Sequence, residues 1–157
     1  MVNSQANDQR PPQVTRHTRP VFFDPSKLPW TKWVMPGTYF KLLNLNDIQG
    51  SFTMLLKVDP GMDTPIHKHT GGVEAYVLDG EFGYDDDRGG AGCYAYEAAG
   101  SVHRPDSPGG TLMFAIVYGP IVGYNEDGSI AGVVDNDLMY ELAVANRAAD
   151  HIERTPL

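Results

Sequence analysis

Apolar side chains at every second position, in short runs broken by glycine, proline and aspartate, leave this chain few folds. In Phe52, Met54, Leu56 and Val58 the apolar residues alternate with Ser51, Thr53 and Lys57. That is the pattern of a strand with one face buried. Comparable runs follow at Ile66 to His69, Glu74 to Leu78, Cys93 to Glu97, Thr111 to Tyr118 and Ile130 to Val134. Turn chemistry separates them: Asp59-Pro60-Gly61, Gly71-Gly72, Asp87-Arg88-Gly89-Gly90, Ser107-Pro108-Gly109-Gly110 and Asn125-Glu126-Asp127-Gly128. Many short, evenly spaced strands predict an all-β sandwich or barrel. The period changes only after Asp135, Asn136 and Asp137, where Leu138, Met139, Leu142, Ala145 and Ala149 predict one short C-terminal α-helix against the outside of the barrel.

No internal repeat is visible, so the expected organisation is an N-terminal arm over residues 1–20, a β-barrel over 21–134, and a helix with tail over 135–157. The arm carries Arg10, Arg16, Arg19 and Asp8, a charge of +2, and leaves the rest of the chain at −10. With Pro11, Pro12 and Pro20 and few apolar residues, it does not read as core. A chain of 157 residues can bury a self-sufficient core.

The net charge of −8 argues against a phosphate-tracking surface, so no nucleic-acid partner is expected. No apolar stretch approaches the roughly 20 residues of a membrane-spanning helix, so no membrane is expected either. Cys93 is the single cysteine, which rules out an internal disulfide and makes a reducing cytoplasm the default compartment.

The chemistry concentrates between Gly61 and Glu74. Side chains two apart on a strand share a face, so His67 and His69 point to one place while Lys68 points away. A return of the chain after the glycine turn would bring Glu74 beside them, and His103 follows a later Gly-Ser-Val turn. His67, His69, Glu74 and His103 are thus the candidate metal ligands. Imidazole and carboxylate suit iron, zinc, manganese and nickel, and the absence of a cysteine cluster disfavours a structural thiolate site. Continuing the alternation from Glu74 gives Tyr76 and Asp86 the same inward parity. Glu74, Tyr76 and Asp86 are therefore the candidate catalytic side chains, Asp86 as a second carboxylate ligand or as acceptor for a histidine N–H. Phe52, Met54, Tyr76 and Met113 are candidates for an apolar pocket wall. His17 and His151 lack patterned partners and read as structural or exposed.

These residues resemble the two motifs of the cupin (RmlC-like) superfamily. The first is matched by Gly61, His67, His69, Glu74 and Gly80, and the second by Gly92, Ala98, Gly100 and His103, with alanine where proline is usual. Within the superfamily the chain is most similar to small single-domain cupins of the 2,4'-dihydroxyacetophenone dioxygenase-like family. That likeness rests on 67–71, on Tyr76 to Phe82, on Ala99 to His103 and on Gly123 to Gly128. The resemblance implies a double-stranded β-helix, or jelly-roll barrel, holding a non-haem Fe(II) on three histidines. It also implies oxidative cleavage, by O2, of a C–C bond in a small hydroxyketone or diketone, aromatic ones included. Two alternatives remain: a non-catalytic zinc-binding cupin or sensor like those of anti-sigma factors, and a metal-dependent isomerase or lyase that does not use O2. Exposed strand edges in an open barrel predict a homodimer or homotetramer, with Val21, Phe22 and Phe23 adding to a neighbour's edge.

Overall fold

The computed structural model describes residues 22–154. The predicted arm at 1–20, with His17 and Val21, lies outside the described residues. Phe22 is fully exposed, and the Phe23 ring rests 4.5 Å from that of His151.

Among the described residues, thirteen strands and one α-helix follow a short 3-10 turn at Pro25–Lys27. The larger sheet takes its main path through β1 (Thr31–Lys32), β2 (Thr38–Asn46), β3 (Ser51–Val58), β11 (Thr111–Val117), β6 (Val73–Tyr84), β10 (Asp106–Ser107) and β4 (Met62–Asp63). The long β6 also pairs with β7 (Asp87–Gly90) and β8 (Tyr94–Glu97) at different points along its length. The smaller sheet runs β13 (Ile130–Val134), β12 (Ile121–Tyr124), β5 (His67–His69) and β9 (Val102–His103). All pairings between these strands are antiparallel, and the arrangement is the all-β barrel that the alternation predicts, in the jelly-roll form that the resemblance implies.

The alternation in β3 and β11 places Phe52, Met54, Met113, Ala115 and Val117 inside, each at most 2% exposed. Sequestering a side chain of this size is worth about 1.5–3 kcal/mol relative to leaving it in water. The helix α1 (Asn136–Ala145) begins where Asp135 caps it, the carboxylate accepting from the Leu138 N–H at 3.0 Å. It buries Met139 and Ala143, and the Trp33 indole N–H meets the Met139 sulfur at 3.2 Å. Arg154 fixes the segment beyond the helix by a two-point contact with Asp47 and a third hydrogen bond to Asp137. His151 does structural work here, its Nε2 lying 2.7 Å from the Leu42 carbonyl.

One irregularity decides which side chains reach the interior. Between Leu112 and Met113 the register of β11 on β6 jumps from Asp79 to Val77, so Leu78 is an extra residue. An extra residue in a strand flips the facing of everything after it. Before the bulge Val73, Ala75 and Val77 point inward; beyond it Phe82 packs against the core and Tyr84 lies against His103.

Candidate metal centre

His67 and His69 are presented by β5 into the barrel, both buried, while Lys68 between them is half-buried. His103 arrives on β9 directly opposite His67 in the antiparallel pairing. The loop before it is held by two backbone hydrogen bonds, Gly100 N–H to the His69 carbonyl at 2.7 Å and His69 N–H to the Ser101 carbonyl at 3.1 Å. The three rings close on one another with centroids 4.8 to 5.0 Å apart, and one nitrogen from each lies within 4.8 Å of the others.

These residues fit a metal ion. His67 Nδ1 sits 2.9 Å from the Pro65 carbonyl, so Nδ1 carries the proton and Nε2 keeps its lone pair for the centre. His67 Nε2 and His69 Nε2 are 3.1 Å apart. Two nitrogens held about 2.0–2.1 Å from a common ion take up a similar separation. Buried His103 Nε2 has no hydrogen-bond partner among the described residues, as expected of a nitrogen reserved for an ion. The site requires neutral imidazoles, and burial favours that form at His67 and His103. Loss of hydration pushes the His67 pKa down to about 4, against the opposing pull of the Pro65 carbonyl, and burial likewise lowers that of His103.

A linkage consequence follows for the metal-free protein. The unfolded chain takes up a proton on His67 near 6.5, whereas the folded chain resists it until about pH 4. The unfolded state therefore binds more protons between those values, so stability is full above 6.5 and falls as the pH drops toward 4. The loss is on the order of 3 kcal/mol. Thermal melts of chelator-treated protein from pH 7.5 to 4.5 should show a steadily falling Tm below 6.5. A flat Tm across that window would contradict the burial of His67.

The carboxylate that meets the histidines is Glu97, which sequence reasoning placed only at the end of a strand. It is 9% exposed, with Oε2 2.9 Å from His69 Nε2 and 3.6 Å from His103 Nε2. The pairing of Glu97 with Val73 on β6 gives it inward parity, as Ala95 has, whereas Tyr94 and Tyr96 face out. That parity was available in the alternation Tyr94-Ala95-Tyr96-Glu97.

Glu74 and Asp86 are not brought to the histidines. Glu74 lies on the outer face of β6, where Tyr94 Oη donates to Oε1 at 2.8 Å and Tyr118 Oη donates to Oε2. These two phenols hold its pKa below the usual carboxylate range. Tyr76 shares that outer face and is 46% exposed. Asp86 is exposed in the β6–β7 hairpin, next to Asp85 at φ 44°. Inward parity counted from Glu74 therefore fails in its phase at Glu74 and Tyr76; the bulge restores it at Phe82 and Tyr84, and Asp86 is out because it lies in the turn beyond the strand. Tyr84, not singled out in the sequence, has its ring 4.7 Å from that of His103 and a buried hydroxyl with no partner among the described residues.

His67, His69 and Glu97 open onto a cavity of about 360 Å³. Met54 and Met113 line it as expected, together with Trp33, Phe82, Val133 and Leu138, whereas Phe52 belongs to the packed core.

The model of the ChrR cupin-like domain matches residues 18–122. The chain belongs to that family. No curated protein matches this ChrR cupin-like domain. Among solved structures it is similar to an RmlC-like cupin from Ralstonia eutropha, 25% identical, covering 88% of this chain and 93% of that one with a TM-score of 0.78. A second Ralstonia eutropha protein, of unknown function and with a cupin-like fold, is also 25% identical, covering 92% and 98% with a TM-score of 0.76. An acetylacetone dioxygenase from Acinetobacter johnsonii is 16% identical and covers 88% and 99% with a TM-score of 0.74, a likeness of fold. Among the described residues no helix is long and apolar enough to cross a membrane.

Proposed function

We propose that this ChrR cupin-like domain is a non-haem Fe(II) dioxygenase that cleaves a C–C bond of a small hydroxyketone or diketone with O2. The observation that carries the reading is the convergence of His67, His69 and His103, with His67 and His69 in the wall of an apolar cavity large enough for such a substrate. The kinship in fold with an acetylacetone dioxygenase agrees with it. A bound Fe(II) would supply Lewis acidity toward a pair of substrate oxygens and a meeting point for substrate and O2.

The chain's own residues have separable tasks. The three imidazoles would hold the ion. The Pro65 carbonyl fixes the tautomer and orientation of His67. Glu97 places a carboxylate beside His69 at the cavity wall, suited to receive the acidic proton of an enolisable ketone. Met54, Phe82 and Met113 exclude water from the apolar end. The enzyme is expected to act as a homodimer or homotetramer.

A second reading, a zinc-binding module without turnover, is favoured by the family to which the chain belongs. The deciding experiment reconstitutes the protein anaerobically with Fe(II), then admits air-saturated buffer with a panel of aryl hydroxyketones and β-diketones in an oxygen electrode. Stoichiometric O2 uptake with at least one of them supports the dioxygenase. Tightly held zinc that iron cannot displace, with no uptake across the panel, supports the module, and activity that persists without O2 would mark an isomerase or lyase.

A further inference from the structure

The walls of the cavity carry an asymmetry of charge. Among its lining residues there is no lysine, no arginine and no aspartate, and the one formal charge is Glu97, at the histidine end. The remaining wall is built from aliphatic, thioether and aromatic side chains, with Trp33 and Leu138 on the side of α1 and Val133 on β13. Of the four hydroxyls in the lining, two are committed to backbone, Thr38 Oγ1 donating to the Met35 carbonyl at 2.6 Å and Thr64 Oγ1 to the Pro105 carbonyl at 2.9 Å, and the other two, on Ser107 and Tyr124, bring no charge.

None of the described lysines and arginines lines the cavity, and several are committed elsewhere. Arg88 pairs with Asp106, Arg154 with Asp47 and Asp137, Lys41 donates to the Pro25 carbonyl, and Lys57 lies over the rings of Trp30 and Tyr39. A divalent ion on the histidines, offset by Glu97, would leave room for one anionic oxygen at that end and none at the other. A charge carried into the apolar end would lose its water and meet no partner, which is the costliest way to bury an ion.

We infer that the site selects its ligand by the charge of the body: one oxygen-bearing head at the histidines and an uncharged apolar body, of aryl size, filling the rest. This inference rests on the reading of the histidine cluster as the metal centre. The size follows from the cavity of about 360 Å³. An apolar cavity of about 150 Å³ already holds benzene, so a ring with a substituent fits. Ligands whose body bears a carboxylate, a phosphate or an ammonium group are excluded.

The test uses three ligands with one head: 2-hydroxyacetophenone, its para-carboxylate, and the methyl ester of that carboxylate. The ester is larger than the acid but uncharged, so it separates charge from bulk. Binding is measured by titration calorimetry on zinc-loaded and on metal-free protein, without turnover. The expected result is that the parent and the ester bind and that the carboxylate binds at least about a hundredfold more weakly than the ester. Val133→Lys, at a half-exposed position of the lining, should narrow that gap by about tenfold by supplying the missing cation. Equal affinity for acid and ester, or no binding of either uncharged ligand at millimolar concentration in both forms, overturns the inference. Selectivity without O2 uptake would leave it standing and sink only the dioxygenase reading, whereas uptake with all three ligands alike would do the reverse.

Discussion

Replacing His69 with alanine should lower the affinity for a divalent metal by about a thousandfold or more, because it removes one of three nitrogen donors at a site with few others. His69 is the hinge of the cluster: its Nε2 lies 3.1 Å from His67 Nε2 and 2.9 Å from Glu97 Oε2, and its ring touches those of both other histidines. His67→Ala and His103→Ala should act in the same way, read by competition with a chromophoric chelator. The carboxylates then separate by position. Glu97→Gln keeps the shape but removes the charge beside the ion and should cost about 10–100-fold. Glu74→Gln, on the opposite face of its strand and satisfied by two tyrosine hydroxyls, should leave metal affinity unchanged. Loss of metal on Glu74→Gln with retention on Glu97→Gln would invert the assignment and refute the geometry of β6 and β8.

That contrast between two glutamates shows how far the chain's pattern could be read. In β3 a polar residue stands at most outward positions, so the phase of the alternation is unambiguous and Phe52, Met54, Leu56 and Val58 fall inside. The His67-Lys68-His69 pair is equally legible, because two like side chains two apart on a strand share a face whichever face that is. In β6 the same logic has no purchase. Val73, Ala75 and Val77 form one apolar row and Tyr76 and Leu78 belong to another, because the outer face is itself rich in tyrosine, with Tyr94, Tyr96 and Tyr118 alongside. A strand apolar on both faces carries no phase of its own. Its facing is set by the partner strand, here by Ala75 opposite Ala115. The bulge at Leu78 then resets the count, which is how Tyr84 comes to lie on His103, and Asp86, two residues on, is outside because the strand has already ended in the turn. Glu97 was within reach, since inward parity for a carboxylate on a strand is a costly choice that calls for a partner.

The turn that joins the histidine strand to β6 should be the least forgiving part of the molecule. A Cβ added at Gly71 would stand 1.4 Å from the Tyr118 carbonyl oxygen and 2.4 Å from its carbon. Both are backbone atoms, so no side chain can swing aside to make room. The chain segments pressed together there are also hydrogen-bonded: Thr70 N–H and Oγ1 both donate to the Pro120 carbonyl, at 3.1 and 2.8 Å, and Tyr118 N–H donates to the Gly72 carbonyl at 3.0 Å. Gly71→Ala must therefore break part of this seam, and a loss of about 3–5 kcal/mol is expected, in the range reserved for backbone strain and disrupted packing. For a domain of this size that corresponds to a Tm lower by roughly 10 °C. Because His69 sits two residues before the forced shift, metal affinity should fall along with stability, even though no ligand has been changed. Ala98→Gly, at an exposed position in the turn before His103, provides the control, since it adds backbone freedom in a neighbouring turn without a clash and should cost only about 1 kcal/mol. An unchanged Tm in Gly71→Ala would mean that the Thr70–Gly72 turn and the Tyr118–Pro120 connection do not approach as closely as described, and the placement of His69 would fall with it.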